Sequence, residues 1–479
     1  MKNSGILIVL ALSAAGCGRQ ETPLTDDMHP GNSPTQSIAL ASNDGAAPQE
    51  MSPVRPSSKI DNQSSNTEAV ANDLVRKLEV LNGKANQAQA EARFNDAVGH
   101  WTEAIEVLNQ LYGSKSWQTQ SAVAARQLAF EQSQLTPEQH AQFQRIMLVQ
   151  NQIANEIKQN NVVNAKELSL GVTQDVRNLF ANDSLMVAKQ KMQLARLFQM
   201  NGDNSQAVDM YRESLDVQTQ YVGELHPDVE SIHAYLAECF SAKGEWLQAL
   251  ENLKVAARMA REMWGEDSLQ YALRANDLGV AFHRMKDLTT AVKILRAAES
   301  IRRNRLGMDH PQVAHSLVNL ASVYIDLNRH EMAKQSLEQA LPTLEKGLGA
   351  DHLMVVDAKN KLGMTLMLLE QPGAAEPILR DVADSLKRTN AKPISIANAE
   401  FRLAVAMAKQ GNYNDSEPLF VRSLEIQDRE MGMNSPEAIR TRNALATLYR
   451  QTDRVELAER VASQVRQVNY EEPDSTFRK

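Results

Sequence analysis

Three histidines stand at matching places in the sequence and could, by residue type, ligate a metal ion. His226, His310 and His352 each open a similar stretch, and the first two precede a proline. Zinc holds its nitrogen ligands at about 2.1 Å from one ion. Histidines in separate copies of a repeated stretch are too widely spaced for that, so we predict no metal site. His-Pro suits a helix start instead, because proline there has a favourable φ and no donor to satisfy.

Motifs for catalysis or nucleic-acid binding are missing from the sequence. It has no phosphate-binding glycine loop, no zinc-ligand spacing and no serine elbow. The net charge is −8, whereas a nucleic-acid binder needs a basic face that displaces counterions from phosphates. The short basic run Arg302, Arg303 and Arg305 fits a solvated helix surface. We therefore expect no enzyme, no cofactor and no nucleic-acid partner.

The first residues have the features of a secretory signal peptide. Lys2 supplies a positive charge, and Ile6–Leu12 is an apolar run. The run is too short to span a bilayer, which requires about 20 apolar residues. We therefore expect residues 1–16 to be a signal peptide that is removed.

Ala14-Ala15-Gly16-Cys17 follows that run and resembles the bacterial lipoprotein box, in which the cysteine is lipidated. Ala14 stands where that family usually has leucine. The resemblance implies an acyl anchor at Cys17 as the chain's contact with a membrane, and Gly18 after it implies a periplasm-facing position at the outer membrane. The alternative is an ordinary signal with an incidental cysteine. Residues 17–66, rich in Ser, Asn, Gln and Pro, are expected to be the lipidated cysteine and a disordered tether.

From residue 184 onwards a sequence pattern recurs with a period of 42 residues, apart from one step of 41. The repeats start at Ser184, His226, Ser268, His310, His352, Pro393 and Ser435. Ten residues after each start stands a leucine, then alanine or glycine, and position 14 carries a large, mainly aromatic residue. Position 23 is alanine or serine, and position 27 is bulky in six repeats. A fixed period of this length indicates a repeat architecture.

The small residues of the pattern have a physical role. Two antiparallel helices approach closely only where side chains are small, and the neighbouring large side chains fill the space beside the contact. Gly202, Gly244, Asn328 and Gly411 predict the turn between the two helices in four repeats. One hairpin cannot bury such a face alone, so neighbouring hairpins must stack. Cys239 lies within this pattern, where it fits a small buried side chain.

This pattern resembles the tetratricopeptide repeat, and its long period together with NLASVY (Asn319–Tyr324) resembles the kinesin-light-chain type. The resemblance implies an all-α fold, a right-handed α-solenoid of stacked antiparallel helix hairpins. We expect seven tetratricopeptide-like repeats over residues 184–466. Residues 67–183 are expected to hold diverged N-terminal helical repeats with an extra helix at Trp117–Gln134. Residues 467–479 form a polar tail.

In tetratricopeptide proteins the first helix of each hairpin lines a concave groove that holds peptides of partner proteins. Positions 5, 8 and 12 of the present repeat match groove positions of that family. The candidates are Lys189, His315, Asp357, Asn398 and Arg440 at position 5, Asn276, Asn360 and Asn443 at position 8, and Arg196, Glu238 and Ser322 at position 12. Asparagine both donates and accepts, so it can pair with a peptide backbone. The same positions also fit a plain solvated surface, and their mixed charges assign no sign to a ligand.

The function that these features favour is a lipid-anchored scaffold of the cell envelope that binds protein or peptide partners in its groove. Two alternatives remain open at this point. One is an α-superhelical envelope enzyme that acts on peptidoglycan, although no catalytic segment is visible. The other is a structural protein that self-associates through its terminal repeats.

Overall fold

A computed structural model of the chain describes residues 65–468. The predicted signal peptide, Cys17 and residues 469–479 lie outside the described residues. Within the described range the chain forms nineteen helices and no strand. The helices are α1 (Ser65–Ala90), α2 (Phe94–Tyr112), α3 (Trp117–Ser133), α4 (Pro137–Lys158), α5 (Val162–Leu179), α6 (Leu185–Met200), α7 (Asn204–Val222), α8 (Pro227–Ala242), α9 (Trp246–Trp264), α10 (Leu269–Arg284), α11 (Leu288–Leu306), α12 (Pro311–Asp326), α13 (His330–Leu348), α14 (Leu353–Leu368), α15 (Pro372–Arg388), α16 (Pro393–Lys409), α17 (Tyr413–Met431), α18 (Pro436–Gln451) and α19 (Val455–Val468).

The described residues divide into two compact units. Unit one comprises α1–α10 and ends at Met285, and unit two begins at Lys286 and comprises α11–α19. Within each unit, consecutive helices pack on one another along the chain, except that α3 packs on α2 and not on α4. Each unit is thus an α-solenoid of stacked antiparallel helix hairpins, and the predicted all-α fold class is confirmed.

The close contact between helices is made at the small residues of the repeat. The position-23 residues Ala207, Ala249, Ala291, Ala333, Ala375, Ser416 and Ala458 are all 0% exposed. At Gly363 of α14 the approach is very close, because a Cβ built there would lie 2.5 Å from Cδ2 of Leu379 on α15. The large side chains at position 27, such as Tyr211 and Leu295, are fully buried beside this contact.

One left-handed residue forms the turn in each of the seven repeats. The four turns predicted from glycine and asparagine have φ between 57° and 88° at Gly202, Gly244, Asn328 and Gly411. The other three repeats place Lys286, Glu370 and Asp453 at the equivalent position, with φ of 63°, 56° and 58°. A residue with a Cβ is disfavoured in this region by about 1–2 kcal/mol. The stacking of the hairpins therefore imposes the turn even where the residue type does not favour it.

Helix α3 interrupts the regular succession of helix hairpins in unit one. It packs on α2 and also contacts α6 and α7. The carboxylate of Glu131 near its end accepts the backbone N–H groups of Leu185 (3.0 Å) and Met186 (3.1 Å) at the start of α6. A carboxylate is favourable there because the N–H groups of a first helical turn lack partners within the helix. Thus α3 is fixed across the hairpin of α6 and α7.

None of the helices within residues 65–468 is long and apolar enough to cross a bilayer.

The close approach at Gly363 predicts opposite effects for two Gly→Ala substitutions. Alanine is favoured over glycine within a helix by roughly 0.5–1 kcal/mol. Gly171 in α5 has open space around its Cα, so Gly171→Ala should raise the melting temperature. Gly363→Ala should lower it, because overpacking against the buried Leu379 costs about 1–3 kcal/mol. Thermal unfolding followed by circular dichroism checks both, and a more stable Gly363→Ala variant would contradict the close packing.

Candidate functional site

The first helices of successive hairpins form a continuous surface in each unit. In unit two, α12 contacts α14, α14 contacts α16, and α16 contacts α18. In unit one, α6 contacts α8, and side chains link α8 to α10. We call the surface made by these helices the first-helix face of each unit. All the candidate residues of the sequence analysis lie on these helices.

Ion pairs between neighbouring helices cross the first-helix face of unit one. Lys189 of α6 donates to Asp228 of α8 at 2.6 Å, and Arg274 of α10 pairs with Glu230 of α8. Each pair joins helices of adjacent repeats, so the charges neutralise one another along the stack.

Arg196 and Glu238 form the third of these links. Arg196 Nη1 donates to Glu238 Oε2 at 3.0 Å, and the guanidinium lies 4.7 Å from the ring centre of Tyr235. Gln199 donates to the same carboxylate at 2.7 Å. Burial, the largest single effect, favours neutral arginine, but the charge and hydrogen bond of Glu238 together with Tyr211 and Tyr235 outweigh it and hold the pKa of Arg196 above its ordinary value. Both candidates are therefore engaged inside the protein.

The four asparagines of the candidate set occupy different environments. Asn276 is 1% exposed and Asn398 is 7% exposed, and Asn398 accepts a hydrogen bond from Gln427 Nε2 at 3.0 Å. These two side chains are buried, which corrects the expectation that they line an open groove. Asn360 is half-buried, while Asn443 is exposed and its side chain has no hydrogen bond within residues 65–468. Only the latter two can meet a partner directly.

The other unit-two candidates, His315, Asp357 and Arg440, are charged or titratable. Burial lowers the pKa of His315 to about 4, and the nearby charges of Arg302 and Lys361 add to the effect. Asp357 pairs with Lys361 one turn away on α14. Arg440 pairs with Glu437 on its own helix at 2.6 Å. Unlike those of unit one, these pairs do not connect adjacent repeats.

Ser322 on α12 completes the candidate set. Its hydroxyl donates to the backbone carbonyl of Val318 at 3.1 Å, one turn earlier on the same helix. Its donor is thus satisfied locally.

Sequence reasoning missed Arg402 on α16. Its side chain is half-buried on the first-helix face and makes no hydrogen bond or ion pair within the described residues. Burial lowers its pKa, the positive charge of Arg440 lowers it further, and Asp357 opposes this effect. Arg402 stands at position 9 of its repeat, directly after position 8, which was a groove candidate. A basic residue beside a candidate position was therefore the signal in the sequence that could have pointed to it.

The recurring histidines have a structural role at the starts of their helices. Nδ1 of His226 accepts the N–H of Asp228 at 3.1 Å. In the same way, Nδ1 of His310 and Nδ1 of His352 each accept, at 3.2 Å, the N–H of the second residue of the helix that follows. The second ring nitrogen of His226 lies 2.9 Å from the hydroxyl of Ser121 on α3. Among the residues that the structure describes, no cluster of His, Cys, Asp and Glu could hold a metal ion. The histidines therefore act as helix caps.

Comparison with known families identifies the repeated unit. The family model described as tetratricopeptide repeat matches residues 188–262, 271–346 and 395–469. The chain contains tetratricopeptide repeats. The matched segments include α6, α8 and α18, which carry much of the first-helix face.

Two curated proteins that match this chain are distant and longer. A clustered mitochondria protein homolog of Ajellomyces capsulatus is 23% identical over 310 residues, which cover 62% of this chain and 25% of that protein. Kinesin light chain-related 2 of Arabidopsis thaliana is 22% identical over 180 residues, which cover 38% of this chain and 27% of that protein. The chain thus spans about a quarter of the length of each.

A solved structure supports the fold. The apo form of the quorum sensor NprR from B. thuringiensis superposes with a TM-score of 0.51 and 12% identity, covering 78% of this chain and 97% of that one. At this identity the likeness concerns the helical-repeat fold alone.

Burial of His226 predicts a specific loss of stability on acidification. Burial lowers its pKa to about 4, with Asp228 opposing and Lys189 reinforcing, against about 6.5 in the unfolded chain. Between these values only the unfolded chain takes up the proton, so stability falls as the pH drops below about 6.5. His226→Asn keeps a good helix cap and removes the titration. Between about pH 7 and about pH 5, unfolding measurements should show the wild type losing up to about 2 kcal/mol more than the variant.

The wild type and His226→Asn also provide the control when they are compared at about pH 8, where His226 is neutral in both the folded and the unfolded chain. There, changing the pH slightly should not alter the difference in stability between them. An equal decline of both proteins on acidification would mean that His226 is not the group responsible.

Proposed function

We propose that this protein is a scaffold of the bacterial cell envelope that binds protein or peptide partners on the first-helix faces of its tetratricopeptide repeats. The fold supports this proposal because stacked hairpins present long surfaces suited to extended or helical segments. The predicted lipid anchor at Cys17 would hold the repeats on the periplasmic side of the outer membrane. The partners themselves are proteins, and the membrane is contacted through the lipid.

The observation that carries the proposal is a set of exposed apolar and amide side chains on the first helices of unit two. On α14, Met364 and Leu368 are 41% and 51% exposed, and they lie one turn apart in line with Asn360. On α18, the exposed amide of Asn443 has no partner within the described residues. Exposed apolar side chains gain free energy when a partner removes them from water, and an amide can both donate to and accept from a peptide backbone.

Site-specific crosslinking tests whether this face binds a partner. A benzophenone amino acid replaces Asn443 on α18 in the full-length chain in cells, and mass spectrometry identifies the captured proteins. We expect one or a few proteins to be captured at this position in preference to the rest of the envelope. The matched control carries the same group in place of Glu425, an exposed residue of the second helix α17. A specific partner should be captured at least several-fold more at position 443 than at position 425.

Equal capture at positions 443 and 425 would contradict binding on the first-helix face. Capture at position 425 alone would assign binding to the second helices instead.

Lipidation is tested independently of partner binding. Cys17→Ala removes the only thiol that the lipoprotein-like box offers, so radiolabelled palmitate should enter the wild type and be lost almost entirely from the variant. Cys239→Ala is the matched control and should label like the wild type, since Cys239 is buried in the repeat core. Equal labelling of wild type and Cys17→Ala would refute the anchor.

A further inference from the structure

Helix α4 is the first helix of a diverged repeat. Ala165 of its partner α5 precedes Ala207 of α7 by 42 residues, and the buried Ile153 of α4 precedes Leu194 of α6 by 41. The hairpin of α4 and α5 therefore belongs to the array, with its first helix slipped by one residue. Each residue of α4 can thus be compared with the residue of α6 that stands 41 places later.

One side of α6 is buried against α5, the second helix of the preceding hairpin. This side is formed by Met186, Gln190 and Leu197, which are between 3% and 7% exposed. Gln190 Nε2 donates to the hydroxyl of Ser169 at 3.3 Å and lies 3.4 Å from the hydroxyl of Thr173, both on α5. The preceding second helix therefore covers this side of a first helix.

The same contact recurs within unit two. Ser316 of α12 occupies the repeat position of Gln190 and accepts a hydrogen bond from Arg302 Nη1 of α11 at 2.7 Å. Thr441 of α18 occupies that position as well and donates to Gln427 of α17 at 2.7 Å. In each case the second helix of one hairpin lies against this side of the next first helix.

The corresponding side of α4 is not covered by a helix within residues 65–468. It consists of Arg145, which is exposed, and of Val149 and Glu156, which are half-buried. Helix α3 precedes α4 in the chain, where a second helix belongs, but it packs on α2 and contacts α6 and α7. A groove of about 400 Å³ runs along this side of α4 and is lined by Glu138, Arg145 and Val149 together with Asp175 of α5. The groove therefore lies where the other repeats receive a helix.

The charges on this side of α4 are complementary to those of a second α4. Arg145 and Glu156 stand eleven residues apart, with Val149 and Gln152 between them, and the spacing of 4, 3 and 4 residues forms one stripe along a helix. When two such stripes lie antiparallel, Arg145 of each copy meets Glu156 of the other, and Val149 meets Gln152. Within residues 65–468 neither charged side chain forms a hydrogen bond or an ion pair. Both are therefore available to a second copy.

We propose that two copies of this chain associate through α4, with each α4 lying antiparallel in the groove of the other about a two-fold axis. Leu148, which is 66% exposed beside the stripe, and Val149 are removed from water in this pairing, which favours association. The two symmetric ion pairs fix orientation and register more than they add affinity. Because a two-fold interface is self-complementary and closed, the product is a dimer. The inference is independent of the proposed function, which was argued from unit two.

Co-purification of two differently tagged copies of the full-length chain tests this pairing. Wild-type copies that are expressed together and solubilised in detergent should purify together. Arg145→Glu in both copies sets carboxylates against each other, and Glu156→Arg in both copies sets guanidinium groups against each other. Each change should reduce recovery of the second tag at least about tenfold, because like charges in contact disfavour association. Arg145→Glu in one copy with Glu156→Arg in the other restores both ion pairs and should return recovery to the wild-type level.

The matched control is Lys158→Glu, since Lys158 is exposed on α4 but lies on the opposite side of the helix from the stripe. It should leave recovery of the second tag unchanged. Restored pairing between Arg145→Glu and Glu156→Arg also shows that both variants are folded, because each of them fails to pair with itself.

A benzophenone amino acid in place of the exposed Gln152 identifies what occupies the groove and should crosslink one copy to a second. Four results would overturn the inference. They are wild-type copies that do not purify together, recovery that both charge reversals leave unchanged, a mixed pair that recovers no better than either single variant, and capture of a different protein at position 152. Capture of a partner at position 443 does not depend on any of these results, so the proposed function is tested separately.

Discussion

The close approach of two helices at small residues is the contact on which the rest of each unit depends. Every position-23 residue is fully buried, and Leu379 of α15 packs directly against the backbone of Gly363. Because the contact recurs with a nearly constant period, each hairpin is related to the next by a similar step. The turns then follow from the stacking, which holds Lys286, Glu370 and Asp453 in the left-handed region that glycine occupies elsewhere.

This regular step also decides which side chains meet on the first-helix face. Residues about one period apart become neighbours, as in Arg196 with Glu238 and Lys189 with Asp228. Charges that alternate between successive helices therefore pair, whereas charges of one sign accumulate. The same backbone geometry thus pairs charges between first helices in unit one, whereas in unit two Lys359 and Arg442 pair with carboxylates of the second helices. The difference arises from residue types and does not require a different fold.

The fold could be predicted from the sequence because the period and its small residues are visible in one chain. Four turns could be located from glycine and asparagine, but Glu370 and Lys286 gave no local signal, since tertiary packing overrides their preference. The candidate site was harder to predict. Position 8 holds both buried Asn276 and exposed Asn443, because burial at this position differs with the packing of the neighbouring hairpin. Arg402 stood out only once the partners of the surrounding charges were known.

The paired and unpaired charges differ in what they contribute. The side chains of the unit-one links are largely buried, so the cost of removing their charges from water offsets much of their attraction. These links are therefore modest sources of stability and better suited to fixing how neighbouring hairpins align. An unpaired, partly buried guanidinium is different, because its lost hydration is not compensated within the protein. Arg402 therefore lowers the stability of the isolated unit slightly.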